Sequence, residues 1–244
     1  MNGYILKESC HNPCHNLAYE ECLVEYVGKY PSVILYLWQN DKTIVIGRNQ
    51  DRDAECNMKL VRENEIMVVR RKTGGGAVYH DLGNLNFSII LPRELYDVKI
   101  STNIIVSSLK SMGIDADANE RNDILANGRK ISGNAYFEGD RACLHHGTIM
   151  YDVDIDTIVS VLTPSKEKLR RNKVASLSSR VVNIKELNHS ITLDDIQNSI
   201  IKALKNTYKY ADYVAESPMI SMKSLAEKES LYQGAEWNQF GDNR

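Results

Sequence analysis

The chain carries almost no excess charge: 30 Lys and Arg against 32 Asp and Glu leave −2 over 244 residues. So even a balance supplies no general field for a polyanion, and nucleic acid is not an expected partner. Long apolar runs are also missing. No stretch approaches the roughly 18 residues of a membrane span. The opening MNGYILKESC lacks the apolar core and the cleavage site of a secretory leader. The expectation is a cytoplasmic protein with no membrane partner. Repeats, low-complexity tracts and Pro/Gly/Ser linkers are absent, so one domain over 1–244 is expected. The five cysteines (Cys10, Cys14, Cys22, Cys56 and Cys143) are an odd set, suited to reduced thiols rather than a disulfide framework.

What is present is ordinary globular composition, 43% hydrophobic and 25% charged, in a chain long enough for a sizeable core. Asn12 and Pro13 read as an N-cap and first helical residue. Leu17, Ala18, Cys22, Leu23, Tyr26 and Val27 then share one helical face. The β-branched and aromatic run 32–38 (SVILYLW) predicts a buried strand, with 43–47 (TIVIG) as its hairpin partner after a turn at Asn40-Asp41. A short helix is predicted over 57–64, strands over 67–71 and 85–91, and a helix over 100–112. Asn127-Gly128 predicts a tight hairpin between strands 123–126 and 129–137. A third strand follows over 143–153, then helices over 155–162 and 192–208. The second of these opens on a capping box, Thr192 with Asp195. No element is assigned after Ser217. Strands and helices mixed with several hairpins predict an α+β fold, a mixed and largely antiparallel sheet flanked by helices.

Chemistry concentrates in Arg70-Arg71-Lys72-Thr73-Gly74-Gly75-Gly76-Ala77-Val78-Tyr79-His80-Asp81. Three glycines remove every Cβ and let the backbone close on a ligand, with N–H groups turned inward as an anion nest. Three cations precede them, as a phosphate or carboxylate requires. The competing reading is a flexible bend with solvated arginines, and glycines alone do not separate the two. The Gly-Lys-Ser/Thr ending of a P-loop and the glycine spacing of a dinucleotide fold are both absent.

A second candidate is the hairpin at Asn127-Gly128. Alternation puts Lys130, Ser132 and Asn134 on one face and Arg129, Ile131 and Gly133 on the other. That polar face meets either a ligand or plain solvent. A lysine suits a reaction between two anions, because its compact ammonium screens their repulsion and stabilises charge growing on a phosphoryl oxygen. Asp123 is a candidate carboxylate for Mg²⁺. On the next strand, His145 and His146 point to opposite sides, which makes them poor joint ligands for zinc. The set Cys10, His11, Cys14 and His15 does not match a zinc spacing either, so no zinc is expected.

These segments, in this order, resemble a known family. RRKTGGGAVYHDLGN is similar to the lipoate-loop signature of lipoate–protein ligases, RNDILANGRKISGNAY to their lysine segment, and LHHGTIMYDVD to their HHGT strand. NLAYEECL, YLWQNDKTIVIGRNQ and EWNQFG fit as well, so the resemblance covers roughly 4–241. It implies a biotin/lipoate ligase-like fold related to class II synthetase cores. It also implies a two-step reaction: lipoate, or octanoate, and MgATP give an acyl-adenylate, which a lysine of a carrier then attacks. The implied carriers are apo lipoyl domains of 2-oxoacid dehydrogenase E2 subunits and the glycine-cleavage H protein. By motif position Lys130 is the catalytic lysine. Arg71, Gly76, Ala77, Val78, Tyr79, Asn122 and Asp123 take ATP and the adenylate, with Asp123 near Mg²⁺. Trp38, Gly75, His80, Ser132, His146 and Gly147 join Lys130 around the lipoyl group. The basic stretch 166–173 falls where the family has a loop that closes over the adenylate.

Family members with two domains continue for about a hundred residues beyond the point where this chain stops. Three cases are expected: a separate accessory-domain protein, a chain that only transfers preformed lipoyl-AMP, or a self-sufficient enzyme. The main rival is an ATP-independent octanoyl- or lipoyltransferase using Cys143 as nucleophile. A non-enzymatic lipoate-binding relative is a further alternative.

Overall fold

A computed structural model describes residues 1–120, 122–163 and 177–241. The basic stretch 166–173 and Arg121 lie outside the described residues. Eleven strands are described: β1 (Asn2–Lys7), β2 (Ser32–Trp38), β3 (Thr43–Ile46), β4 (Met67–Arg70), β5 (Val78–His80), β6 (Asn84–Pro92), β7 (Ala116–Ala118), β8 (Asp123–Ala126), β9 (Arg129–Glu138), β10 (Ala142–Met150) and β11 (Asp212–Val214). Eight form one sheet in the order β11-β1-β2-β6-β10-β9-β8-β7, and β4-β3-β5 form a smaller one. In the large sheet β1 runs parallel to β2 and β11, while the β2–β6, β6–β10, β10–β9, β9–β8 and β8–β7 pairings are antiparallel. The architecture is the expected α+β fold.

β2 carries no hydrophobic–polar alternation because helices cover both of its faces. Val33, Leu35 and Leu37 pack with residues of the Val98–Ser111 and Leu193–Thr207 helices. Ile34, Tyr36 and Trp38 pack with residues of the Pro13–Lys29 and Met222–Gln233 helices. The Pro13–Lys29 helix starts where its cap predicts, with the Asn12 side chain accepting from the Cys14 amide, worth about 1 kcal/mol. Leu17, Ala18, Cys22, Leu23 and Val27 are buried under it. Truncating fully buried Leu23 to Ala would cost roughly 2–5 kcal/mol. The capping box at Thr192 is formed in full, and Asn127 and Gly128 both have the positive φ, 52° and 74°, of the tight turn that closes β8–β9.

One pairing differs from expectation. The 43–47 run is not the hairpin partner of β2. Both edges of β2 are taken, by β1 and β6, and Lys42 turns left-handed at φ 40°. The chain therefore leaves the large sheet, and β3 pairs with β4 and β5 instead. β5 itself lies between the strands expected over 67–71 and 85–91, where no element is expected. The tail after Ser217 forms the Met222–Gln233 and Ala235–Phe240 helices.

Candidate active site

One cavity of about 410 Å³ is lined by residues of seven strands (β2, β3, β5, β6, β8, β9 and β10), the glycine loop and the first helix. Leu17, Trp38, Val45, Ala77 and Val78 give it apolar walls, while Arg71, Asn122, Asp123, Lys130, Asn134 and Thr148 give it a polar region. Gly75, Gly76, His80, Asn86, Gly133, Ala135, His146 and Gly147 complete the lining. Such a divided cavity suits a ligand with an apolar tail and an anionic head.

Lys130 Nζ lies 2.7 Å from Asp123 Oδ1, and both side chains are about one-third exposed, at 32% and 29%. An ion pair this open stabilises a fold by at most about 1 kcal/mol, so stability alone gives little reason for it. A β-bulge sets its geometry. Leu125 pairs with Lys130 but Ile124 with Ser132, so one residue of β9 goes unpaired. Beyond the bulge Gly133 comes round to the Lys130 side, contrary to strict alternation. A Cβ on Gly133 would stand 2.8 Å from Lys130 Nζ, so only glycine leaves the ammonium its place. Asn122 adopts a left-handed φ of 64°, and its carbonyl accepts from the backbone and side-chain amides of Asn134 at 2.9 and 3.0 Å.

The glycine loop is organised by Arg71. Its guanidinium donates to Gly74 O at 2.7 Å, Gly76 O at 2.9 Å, Val45 O at 3.1 Å and Thr73 Oγ1 at 3.1 Å. Burial lowers its pKa to about 10, partly offset by the negative charge of Glu20, so it stays cationic at neutral pH. Of the three glycines only Gly75 uses the left-handed region, at φ 98°, and a Cβ there would stand 2.8 Å from Arg71 Nη2. The expected cradle of three cations does not form. Arg70 points away from the cavity, and Lys72 is paired with Glu21 at 2.7 Å.

A buried polar chain braces the wall. Trp38 Nε1 donates to Ser88 Oγ at 3.0 Å, and Ser88 Oγ donates to Glu20. His146 Nδ1 lies 3.0 Å from both Glu20 oxygens, and its Nε2 lies 2.8 Å from Thr73 Oγ1. Glu20 lies in the NLAYEECL segment without having been singled out, and no motif marked Ser88; only the alignment of the first helix over β6 and β10 joins them to His146. His80 is held neutral: burial first, then the charges of Arg71 and His146, lower its pKa to about 3. Asn40 Oδ1 accepts from Asn16, so its Nδ2 donates to His80 Nδ1 at 3.1 Å, and the His80 proton sits on Nε2. His80 Nε2 and Asn86 Nδ2 are buried donors with no partner among the described residues.

Twelve of the residues singled out by motif therefore line one cavity: Trp38, Arg71, Gly75, Gly76, Ala77, Val78, His80, Asn122, Asp123, Lys130, His146 and Gly147. Two do not. Tyr79 alternates to the far side of β5 and packs with Ile44, Ile46 and Met150. Ser132 is fully buried and accepts from Asn134 Nδ2 at 3.2 Å, away from the lining. Leu17, Val45, Asn86, Gly133, Asn134, Ala135 and Thr148 line the cavity without having been singled out as ligand contacts. Gly133, Asn134 and Ala135 sit in the lysine segment, where that proximity was the available signal.

His145 faces away from His146. It stacks on Tyr136 with centroids 4.6 Å apart and bonds Asn134 Oδ1 at 2.9 Å, and burial lowers its pKa to about 3. Cys143 shares that far face. It is fully buried in the core, contacts Gly139 O, and burial pushes its thiol pKa up. A thiol so placed is neither near the cavity nor activated, which removes the basis for a Cys143 nucleophile. His15 is engaged by Glu229 at 2.6 Å, and among the described residues no three His, Cys, Asp or Glu side chains form a metal set.

The family model for the lipoyl protein ligase A/B catalytic domain matches residues 12–205. A lipoate-protein ligase A of Psychrobacter cryohalolentis is 36% identical over 244 residues, 98% of this chain and 72% of that protein. A crystal structure of a lipoate-protein ligase A bound with ATP superposes with a TM-score of 0.84 at 29% identity, covering 99% of each chain. A bipartite lipoate protein ligase from Thermoplasma acidophilum, solved in work that included its E2 lipoyl domain, gives 0.84 at 30% identity, covering 100% of this chain and 97% of that one. With the glycine loop, the lysine hairpin and the HHGT strand converging on one cavity, the chain belongs to the lipoyl protein ligase A/B catalytic domain family.

Proposed function

We propose that the chain is an ATP-dependent lipoate–protein ligase, a single catalytic domain acting in the cytoplasm. The observation that carries this reading is the Lys130–Asp123 pair in a cavity also lined by the apolar side chains of Leu17, Trp38, Val45, Ala77 and Val78. In the first step the acid's carboxylate oxygen attacks the α-phosphorus of ATP. A P–O bond forms to the acyl group, and the bond to pyrophosphate breaks. Lys130 screens the two anions from each other and stabilises charge on the phosphoryl oxygens. In the second step a neutral carrier lysine amine attacks the acyl carbonyl, the amide forms, and AMP leaves. Arg71 acts indirectly, by fixing the carbonyls of Gly74 and Gly76 so that the loop from Gly76 to Val78 keeps one shape for the nucleotide. Trp38, Gly75, His80, His146 and Gly147 enclose the acyl chain, and neutral His80 adds no charge to that region. Octanoate, nearly as long and as apolar, is the alternative acyl group.

The Asp123 carboxylate is a hard oxygen donor, which suits Mg²⁺ shared with phosphates. The ion would supply further charge neutralisation at the phosphates. The carriers we propose are apo lipoyl domains of E2 subunits and the glycine-cleavage H protein. The bipartite relative supports a reading in which adenylation needs a second, separate protein, in which case this chain alone transfers acyl from preformed lipoyl-AMP. Incubation with ATP, Mg²⁺, lipoate and an apo lipoyl domain should add one lipoyl mass to the carrier. If neither ATP with lipoate nor lipoyl-AMP modifies the carrier, even with an accessory protein present, the ligase reading falls. ATP–pyrophosphate exchange by the chain alone would identify it as self-sufficient.

A further inference from the structure

Arg70 is 1% exposed and yet has no carboxylate among its bonded partners in the described residues. Its guanidinium is spent on six main-chain carbonyls from two segments distant in sequence. Nε donates to Trp237 O at 3.0 Å, and Nη2 to Asn238 O at 3.1 Å and Gln239 O at 2.9 Å. Nη1 donates to Gly47 O at 3.2 Å, Arg48 O at 3.0 Å and Gln50 O at 2.6 Å. The main chain of Arg70 joins the same junction: its amide donates to Asn238 Oδ1 and its carbonyl accepts from Trp237 Nε1, both at 2.8 Å. The carbonyls of Asn238 and Gln239 lie in the last turn of the Ala235–Phe240 helix, where the ladder supplies no donor, and Trp237 O takes the Gly241 amide as well as Arg70.

The other segment leads to the active site. Arg48 N donates to Thr73 O at 2.9 Å, and Gly47 lies so close to Gly75 O that no side chain fits between them. Thr73 bonds His146 and Arg71, and Gly75 lines the cavity. A second tie runs along the other flank. Lys72 bonds Glu21, and the same carboxylate takes Lys228 at 3.2 Å and the Tyr232 hydroxyl at 3.2 Å. Neither Arg70 nor any residue of the Ala235–Phe240 helix lines the cavity.

We infer that Arg70 is a positioning residue that sets the shape of the glycine loop by fixing residues 47–50 against the C-terminal helix. The consecutive arginines divide the work: Arg71 shapes the loop from inside, and Arg70 anchors its support from behind. Lysine cannot replace Arg70, because three donors on one nitrogen cannot serve six carbonyls that the guanidinium meets from three nitrogens with shared N–H bonds. The inference rests on the ligase reading only for the chemistry that the loop serves; the coupling itself is a property of the fold.

The test is amide hydrogen exchange on the full chain, with ATP binding measured in parallel, for wild type, Arg70→Lys, Arg70→Ala and Asn238→Ala. Asn238→Ala removes one side-chain acceptor, for the Arg70 amide, and one donor, to Tyr232 O, away from the cavity lining, and is the milder variant should Arg70→Lys not fold. Exchange at 73–77 should rise about tenfold in each folded variant, because opening of the helix then opens the loop. The Kd for ATP should weaken by a similar factor, and guanidinium ion should restore it in Arg70→Ala. Faster exchange confined to 235–241, with 73–77 and ATP affinity unchanged, would overturn the inference. Exchange needs no substrate, so a wild-type chain that fails to modify any carrier would sink the ligase reading and leave this result standing.

Discussion

The Lys130 ammonium and the Asp123 carboxylate, 2.7 Å apart, come from opposite strands of the β8–β9 hairpin, which a bulge brings into reach of each other. The carboxylate holds the amine at the cavity before any substrate arrives. Lys130→Ala should therefore reduce acyl-adenylate formation by about 10²–10³-fold, the range for removing a preorganised charge-stabilising donor. Single-turnover release of pyrophosphate from ATP and lipoate measures it. A rate within threefold of wild type would contradict the role.

Gly133→Ala should misplace the same ammonium without touching a ligand. The new Cβ would stand 2.8 Å from Nζ, so the lysine must swing away. The expected loss in kcat is roughly tenfold or more, as small displacements of a reacting group cause. Thermal unfolding should change little by comparison. An unchanged kcat would mean that Lys130 works from another position.

Cys143→Ser should leave acyl transfer within about twofold, since the thiol sits in the core on the far face of β10. The cost should appear as stability, on the order of 1 kcal/mol for a hydroxyl in a thiol's buried place. Loss of transfer together with intact stability would revive a thioester route. Tyr79→Phe and Ser132→Ala should likewise spare ATP and lipoate binding, because both side chains leave the cavity.

The buried histidines should make the fold acid-sensitive. His80 and His145 are lowered from 6.5 to about 3, so below pH 6.5 the unfolded chain takes up protons that the folded chain refuses. Stability is full above about pH 6.5 and falls as pH drops toward 3. At pH 5 each histidine should cost about 2 kcal/mol. Urea unfolding at pH 7 and pH 5 measures the slope, and replacing either histidine by Gln should flatten it. An equal slope in wild type and both variants would exclude these groups as its source.

Much of this protein is decided locally and can be read along the chain. Asn12-Pro13 starts a helix, Thr192 and Asp195 cap another, Asn127-Gly128 closes a hairpin, and β2 is unmistakable because seven consecutive residues avoid water. Caps, turns and burial patterns depend on neighbours a few residues apart. The motifs that converge on the cavity are equally visible, because each is a contiguous run. Tertiary structure decided the rest. The sequence does not show that β3 abandons β2, since strand partners are chosen by which edges remain open. Nor does it show that Gly133 turns toward Lys130, because a bulge depends on the register of two strands. The three cations of RRK look alike in the sequence. Only folding separates them, since the fate of each charge depends on which carbonyls or carboxylates, up to 169 residues distant, arrive beside it.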